Sequence, residues 1–175
     1  MSLELWSTIA TIGTFIVIAA TAVAAFVQLR HIRLSNQLSG LQSTLDMLLD
    51  PGVRELLNYT RHDLADLMKD EKFRAGLRTV PVDRREHPEL FLCDMYNHVG
   101  SLVRSGLIDE RVYLQMEWYN INLYWRLLSD VIAQTRTHSH HVFENFEWLA
   151  SRAQCWQRAH PDGDYPADEP RLLTR

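Results

Sequence analysis

Three histidines form the densest group of potential metal ligands in the chain. His138, His140 and His141 fall within four positions, and Glu144 follows His141 by three, one turn along a predicted helix. Imidazole and carboxylate groups bind zinc and similar ions when several converge on one point. An exposed Thr-rich turn leading into a helix explains the same residues without metal. We therefore predict no metal and no cofactor, and name these four residues as the ligands to test.

Two further pairs could take part in acid–base or metal chemistry. Arg61-His62-Asp63 contains the adjacent His-Asp pair used by metal-dependent phosphohydrolases, but the other ligands of such a site are not identifiable. Asp94 and His98 are four residues apart, so a carboxylate could orient an imidazole on one helix face. A structural hydrogen bond or surface ion pair explains that spacing more simply. No HExxH, P-loop, GxGxxG or GxSxG motif occurs, and we predict no catalytic residue.

Composition limits the classes of protein to which the chain can belong. Its 175 residues suit one domain plus an extra element, and its net charge of −4 gives no electrostatic case for nucleic-acid binding. Cys93 and Cys155 lie far apart within helical patterns and form no CxxC motif. We expect both to be reduced, buried thiols.

The elements that would position these residues begin with an apolar run at the N-terminus. Glu4 and Arg30 bracket 25 uncharged residues, Leu5 to Leu29. About 20 helical residues cross a hydrocarbon core of about 30 Å, and Trp6 stands where an interfacial aromatic belongs. A secretory signal peptide is the alternative, because Ala22-Val23-Ala24 resembles a cleavage site. That alternative lacks a basic leader, and the run exceeds the usual ~7–15 residues. We predict a transmembrane helix over residues 5–29.

Flanking charge predicts the orientation of this span. Arg30 and Arg33 follow it, whereas no Lys or Arg precedes it. The positive-inside rule then leaves residues 1–4 outside and puts residues 30–159 in the cytoplasm, below a bacterial inner membrane.

One face of the span carries small and hydroxylated side chains. They recur in alternating steps of four and three, with Ile18 filling one gap, and such residues permit close helix approach in lipid. Alternatively, the hydroxyls simply bond their own preceding carbonyls. The predicted transmembrane interaction face consists of Ser7, Thr11, Thr14, Thr21, Ala25 and Gln28.

A leucine seam continues the same spacing beyond the span. It predicts an unbroken helix to about residue 49, packed either on the protein's own domain or on a second copy as a homodimer. The seam consists of Leu34, Leu38, Leu41, Leu45 and Leu48.

The remainder reads as an all-α bundle, because no period-2 segment of useful length occurs. A tail over residues 160–175 is rich in Pro, Asp and Gly, and we expect it to be extended or disordered. Asp50 is predicted to cap a helix that begins at Pro51. Further helices are predicted over about Phe73–Leu77, from Pro88 onward, from a cap at Asp109 to about Arg136, and over about His141–Ala159.

Four segments carry a family resemblance: FVQLRHIRLSNQ at 26–37, VGSLVRSGLIDE at 99–110, WYNINLYWRLL at 118–128 and FENFEWLA at 143–150. Together they resemble an uncharacterised bacterial family of single-span, membrane-anchored, all-helical proteins with a domain of unknown function. The resemblance implies an N-terminal anchor and a cytoplasmic helical domain. It implies no activity, cofactor or catalytic residue.

These features predict a non-enzymatic accessory or scaffolding subunit of a larger membrane complex, with an energy-converting complex as one candidate host. The expected partners are the lipid bilayer and other transmembrane subunits. The alternatives are a membrane-tethered metal-dependent hydrolase, using either His62 and Asp63 or the 138–141 histidines, and a homodimeric membrane sensor.

Overall fold

The computed structural model describes residues 3–161, 163–166 and 168–169, without the side chains of residues 3–5 and 7–10. This part of the chain contains helices and no strand, which confirms the all-α prediction. The helices are α1 (Leu3–Leu49), α2 (Pro51–His62), α3 (Leu64–Leu67), α4 (Glu71–Leu77), α5 (Leu90–Arg104), α6 (Glu110–Thr135) and α7 (Glu144–Ala159).

Helix α1 dominates the outline of the molecule. Its 47 residues give a length of roughly 70 Å at about 1.5 Å per residue. Every side chain from Thr11 to Asn36 is exposed, so the first described contacts with the bundle come later. Gln37 donates to the Gly106 carbonyl at 3.2 Å, and Gly40 lies against Leu107 and Ile108. The long helix therefore joins the bundle only near its own C-terminal end.

Helices α5, α6 and α7 enclose the core. Gly100 on α5 permits their close approach, because a Cβ atom there would lie 2.3 Å from the Asn145 carbonyl oxygen. The Asn97 side chain accepts hydrogen bonds from the backbone N–H groups of Asn145 and Phe146 at 3.1 and 3.3 Å. An α5 side chain thus satisfies two of the N–H groups at the start of α7 that lack a partner within the helix.

Local capping signals place two helix starts correctly. Asp50 accepts from the backbone N–H groups of Gly52 and Val53, with Pro51 in the first helical position. Asp109 accepts from Val112 N–H at 3.0 Å and begins α6. Both caps confirm the predictions.

Other boundaries differ from the prediction. Helix α7 begins at Glu144 rather than near His141, because Phe143 is buried in the left-handed conformation, with φ 60°. Helix α5 begins at Leu90, since Pro88 belongs to the preceding turn. The helix that begins at Pro51 ends at His62, and a second short helix, α3, follows after Asp63.

In the tail, the described residues from His160 onward contain turns and no helix, such as the turn in which Gly163 donates to the His160 carbonyl. Residues 162, 167 and 170–175 lie outside the described part.

Candidate functional site: an uncovered apolar helix and a buried polar centre

The predicted transmembrane interaction face lies on a part of α1 that the bundle leaves uncovered. The side chains of Thr11, Thr14, Thr21, Ala25 and Gln28 are all exposed, and that of Ser7 lies outside the described side chains. The Thr21 hydroxyl donates to the Val17 carbonyl at 2.8 Å, as the alternative interpretation expects. Its oxygen can still accept a hydrogen bond from a neighbouring helix.

A basic flank follows the apolar segment. Arg30 and Arg33 are exposed, and no acidic residue occurs between Glu4 and Asp46. This stretch of α1 therefore carries only positive formal charge. The arrangement suits anionic headgroups at one membrane surface.

The structure divides the leucine seam into two parts. Leu34 and Leu38 are exposed, whereas Leu41, Leu45 and Leu48 are half-buried. Leu41 and Leu48 pack against the hydrophobic core of the bundle. The second part of the seam thus packs on the protein's own domain, and the first part leaves a surface uncovered.

The predicted histidine cluster does not converge. His138 places Nε2 within hydrogen-bonding reach of the Arg78 carbonyl, and His141 Nδ1 lies 3.4 Å from Glu144 Oε2. His140 is exposed, like the other two histidines. Across the described residues, no group of three or more His, Cys, Asp or Glu side chains could hold a metal ion.

The other predicted pairs are also dispersed. His62 and Asp63 are exposed at the α2–α3 break. Asp94 forms an ion pair with Arg84, and His98 lies exposed on the same helix. Neither pair lines one of the cavities described.

The cysteine prediction is half wrong. Cys93 is buried, whereas Cys155 is exposed. Burial raises the pKa of the Cys93 thiol far above its ordinary value, so this group stays protonated. The buried face of α7 passes through Ala150 and Ala153, and Cys155 falls outside it.

A buried polar centre was missed by the sequence analysis. His87 and Glu89 are both fully buried, and His87 Nδ1 lies 3.0 Å from Glu89 Oε1. Tyr59 on α2 points its hydroxyl at Glu89 Oε2 from 3.5 Å. The Phe73 ring packs on the imidazole with 4.5 Å between centroids, and a Cβ at Gly76 would lie 2.4 Å from His87 Nε2.

The electrostatics of this centre are those of a carboxyl group taken out of water. Burial raises the pKa of Glu89, and this effect outweighs the opposing hydrogen bonds from His87 and Tyr59. Burial, followed by the Glu89 charge, raises the pKa of Tyr59 above its usual range. Tyr59 of α2 thus faces Glu89, and Phe73 and Gly76 of α4 pack on His87, around a carboxyl group that favours its neutral form. No periodic pattern in the segment EHPEL (residues 86–90) predicts this buried polar centre, because Tyr59, which faces Glu89, lies thirty positions earlier in the sequence.

An apolar cavity of about 400 Å³ is lined by residues that adjoin this centre in sequence, since Leu77 follows Gly76 and Leu90 follows Glu89. Its walls are the loop after α4 and the α6–α7 connection, and they include Leu77, Val80, Leu90 and Phe143. The lining hydroxyls of Thr79 and Thr135 already donate to backbone carbonyls. These two hydroxyl groups therefore already have hydrogen-bond acceptors within the protein.

These features define a class: an all-α domain carried on a long N-terminal helix that is long and apolar enough to cross a membrane. The comparison with protein families gives a match over residues 15–153 to the family described as "Domain of unknown function (DUF4760)". The chain belongs to this family, which confirms the resemblance to an uncharacterised family. Neither the curated proteins nor the solved structures give a match.

Proposed function

We propose that this chain is a non-enzymatic, single-pass membrane protein that serves as an accessory or scaffolding subunit of a larger membrane complex. Its α1 span lies in a bacterial inner membrane with the N-terminus outside and the bundle in the cytoplasm. The small and hydroxylated face of α1 docks on other transmembrane helices. The cytoplasmic helices contact the inner face of the same complex, for which an energy-converting assembly is one candidate.

One observation carries this proposal: the most apolar stretch of α1 is completely uncovered by the rest of the described chain. The apolar core helix of a soluble protein has the same length and composition, but its side chains are buried. Here Phe15, Ile16, Val17 and Phe26 are all exposed. Such a continuous apolar surface requires lipid or another protein to cover it.

The family match supports a span that is retained rather than removed as a signal sequence. It begins at residue 15, inside the apolar run, and continues through the bundle to residue 153. The same helix also continues without a break into the segment that packs on the bundle. An anchor and its domain in one family unit fit a mature membrane protein.

Two substitutions test docking through the span. We expect Thr14→Leu and Thr21→Leu to weaken association with partner subunits, since bulkier side chains prevent close helix approach, and to leave membrane insertion intact. Native co-purification from gently solubilised membranes, read by mass spectrometry, measures this. The matched control is Val23→Leu, an enlargement of an exposed span residue on the opposite side of α1 from the predicted interaction face.

A free monomer under every extraction condition would overturn the complex-subunit proposal. Equal loss of partners in the Val23→Leu control would overturn the assignment of the interaction face alone. An active C-terminal reporter outside the cytoplasm would overturn the orientation.

The exposure of Leu34 and Leu38 favours a second candidate, a homodimeric sensor paired along the first part of the seam. Single cysteines at these positions, in a Cys155→Ser background, would then crosslink two copies in native membranes. Cysteines at Gln42 provide the control, since this exposed residue lies outside the seam.

A further inference from the structure

The α5–α6 corner is the part of the bundle held closest to the apolar segment of α1. Gly106 accepts the hydrogen bond from Gln37, and Leu107 and Ile108 lie against Gly40. Val112, in the first turn of α6, lines one apolar notch together with Leu34 and Leu38. We use the term proximal corner for residues 106–112.

The rise of α1 sets the height of this corner relative to the proposed membrane. Leu34 lies five residues beyond Leu29, which is about 7.5 Å at ~1.5 Å per residue. The polar layer on each side of the hydrocarbon core is about 5–8 Å thick. Val112, which shares the notch with Leu34, would therefore lie at the water-facing edge of the headgroup layer.

The proximal corner presents apolar side chains that the protein leaves uncovered. Leu107 is 46% exposed and Val112 is 42% exposed, although Ile108 between them is buried. Met116 continues this exposed stripe one turn further along α6. The partly uncovered notch beside Leu34 makes the stripe continuous with the apolar face of α1.

The charges at the corner favour an anionic surface. Arg104 and Arg111 are exposed, and neither forms an ion pair within the described residues; Arg104 donates one hydrogen bond, to the Asn145 side-chain oxygen at 3.2 Å. The nearby acidic groups are engaged, since Asp109 caps α6 and Glu110 pairs with Arg152 at 2.6 Å. With Arg30 and Arg33, four exposed arginines lie on α1, α5 and α6, and cations beside apolar side chains are typical of interfacial helices.

We propose that the proximal corner is a second membrane contact, in which Leu107 and Val112 enter the headgroup region of an anionic bilayer. This inference rests on the proposed function, because the corner reaches the lipid only if α1 spans it. The contact would fix the bundle against the membrane surface, in one orientation about α1. Arg104 and Arg111 would bind lipid phosphates around it.

Spin labelling of the full chain tests the contact. Single cysteines at Leu107 and Val112, in a Cys155→Ser background, receive a nitroxide after reconstitution into vesicles of mixed phosphatidylcholine and phosphatidylglycerol. Accessibility to oxygen and to a water-soluble nickel complex then reports depth. The matched control is Phe91, which is 50% exposed and lies near the opposite end of α5. A label at Val17 reports the span itself.

The expected result is a severalfold higher oxygen-to-nickel accessibility ratio at Leu107 and Val112 than at Phe91. Vesicles of phosphatidylcholine alone should reduce this difference, because the arginines then lose their anionic partners. Equal ratios at all three bundle sites, with Val17 in lipid, would overturn the corner contact and leave the proposed span intact. A water-exposed label at Val17 would instead overturn the span. Spin–spin broadening between copies at Val112 would assign the surface to a second chain and overturn the lipid contact.

Discussion

Phe15 and Phe146 carry the same side chain in opposite surroundings. The first is 72% exposed on α1, whereas the second is completely buried between helices α5, α6 and α7. Phe146 stacks on Tyr96 with ring centroids 4.8 Å apart and meets the edge of Trp125 at 5.1 Å. The bundle therefore buries its apolar side chains by its own packing, whereas the apolar side chains in the N-terminal half of α1 are left uncovered by the rest of the described chain.

The largest difference between the two regions should come from truncating these two rings. Phe146→Ala removes a completely buried side chain, so we expect the bundle to lose about 3–5 kcal/mol of unfolding free energy. Phe15→Ala should leave that free energy unchanged, because Phe15 packs on none of the bundle. Denaturant unfolding of the full chain in mild detergent, followed by near-ultraviolet circular dichroism, measures both. Equal destabilisation by the two variants would contradict the division into independent regions.

A charge placed in the apolar N-terminal half of α1 should reduce membrane insertion and leave the stability of the bundle unchanged. Ile16→Arg near the centre of the span should cost about 2.5–3.5 kcal/mol of insertion free energy, and it should not change bundle unfolding. The measurement is the fraction of chain that remains with membranes after alkaline extraction. Gln42→Arg is the control, as the same charge lies on α1 beyond the span. Unchanged membrane retention in Ile16→Arg would count against a transmembrane position.

The third expected effect is a pH dependence that belongs to the bundle alone. Burial raises the pKa of Glu89, so the folded state keeps this proton at pH values where the unfolded state has lost it. The free energy of unfolding should therefore fall as pH rises from the ordinary glutamate pKa of about 4.5 to the raised folded pKa.

Glu89→Gln should remove this slope, because the amide does not titrate. The exposed neighbour Glu86→Gln should retain it. Unfolding free energies measured across the acidic to neutral range give both slopes. His87 and Tyr59 also face the carboxyl group, so the difference between wild type and variant reports the titration of Glu89 together with its coupling to these two groups. Parallel profiles for wild type and Glu89→Gln would disprove this role of the buried carboxyl.

What the sequence could predict depended on how far apart the interacting residues lie. The Asp50 and Asp109 caps act within three positions, so local pattern located them. The start of α7 depends instead on Asn97 in another helix and on the burial of Phe143, which no local signal encodes. The exposure of Cys155 could have been found from the phase of the α7 apolar residues.

The candidate site shows the same dependence on distance. The uncovered apolar segment is a composition signal and could be recognised directly. The His87–Glu89–Tyr59 centre joins two neighbouring polar residues to a partner thirty positions away, and a polar residue in a sequence shows no sign of its burial. Conversely, the three close histidines suggested a site that the backbone then separates, since His138 turns to the Arg78 carbonyl.

The smallest expected effect concerns the junction where the two regions meet. Asp50 ends α1 and caps α2, so Asp50→Ala should cost about 1 kcal/mol of bundle stability through the lost acceptor for Gly52 and Val53. Membrane retention should not change, because the span ends about twenty residues earlier. Asp46→Ala provides the control, as it removes an exposed acidic side chain of α1 that lies before the cap. If Asp50→Ala instead released the chain from membranes, anchoring by α1 would depend on the folded bundle. The membrane anchor and the bundle would then not be independent regions of the molecule.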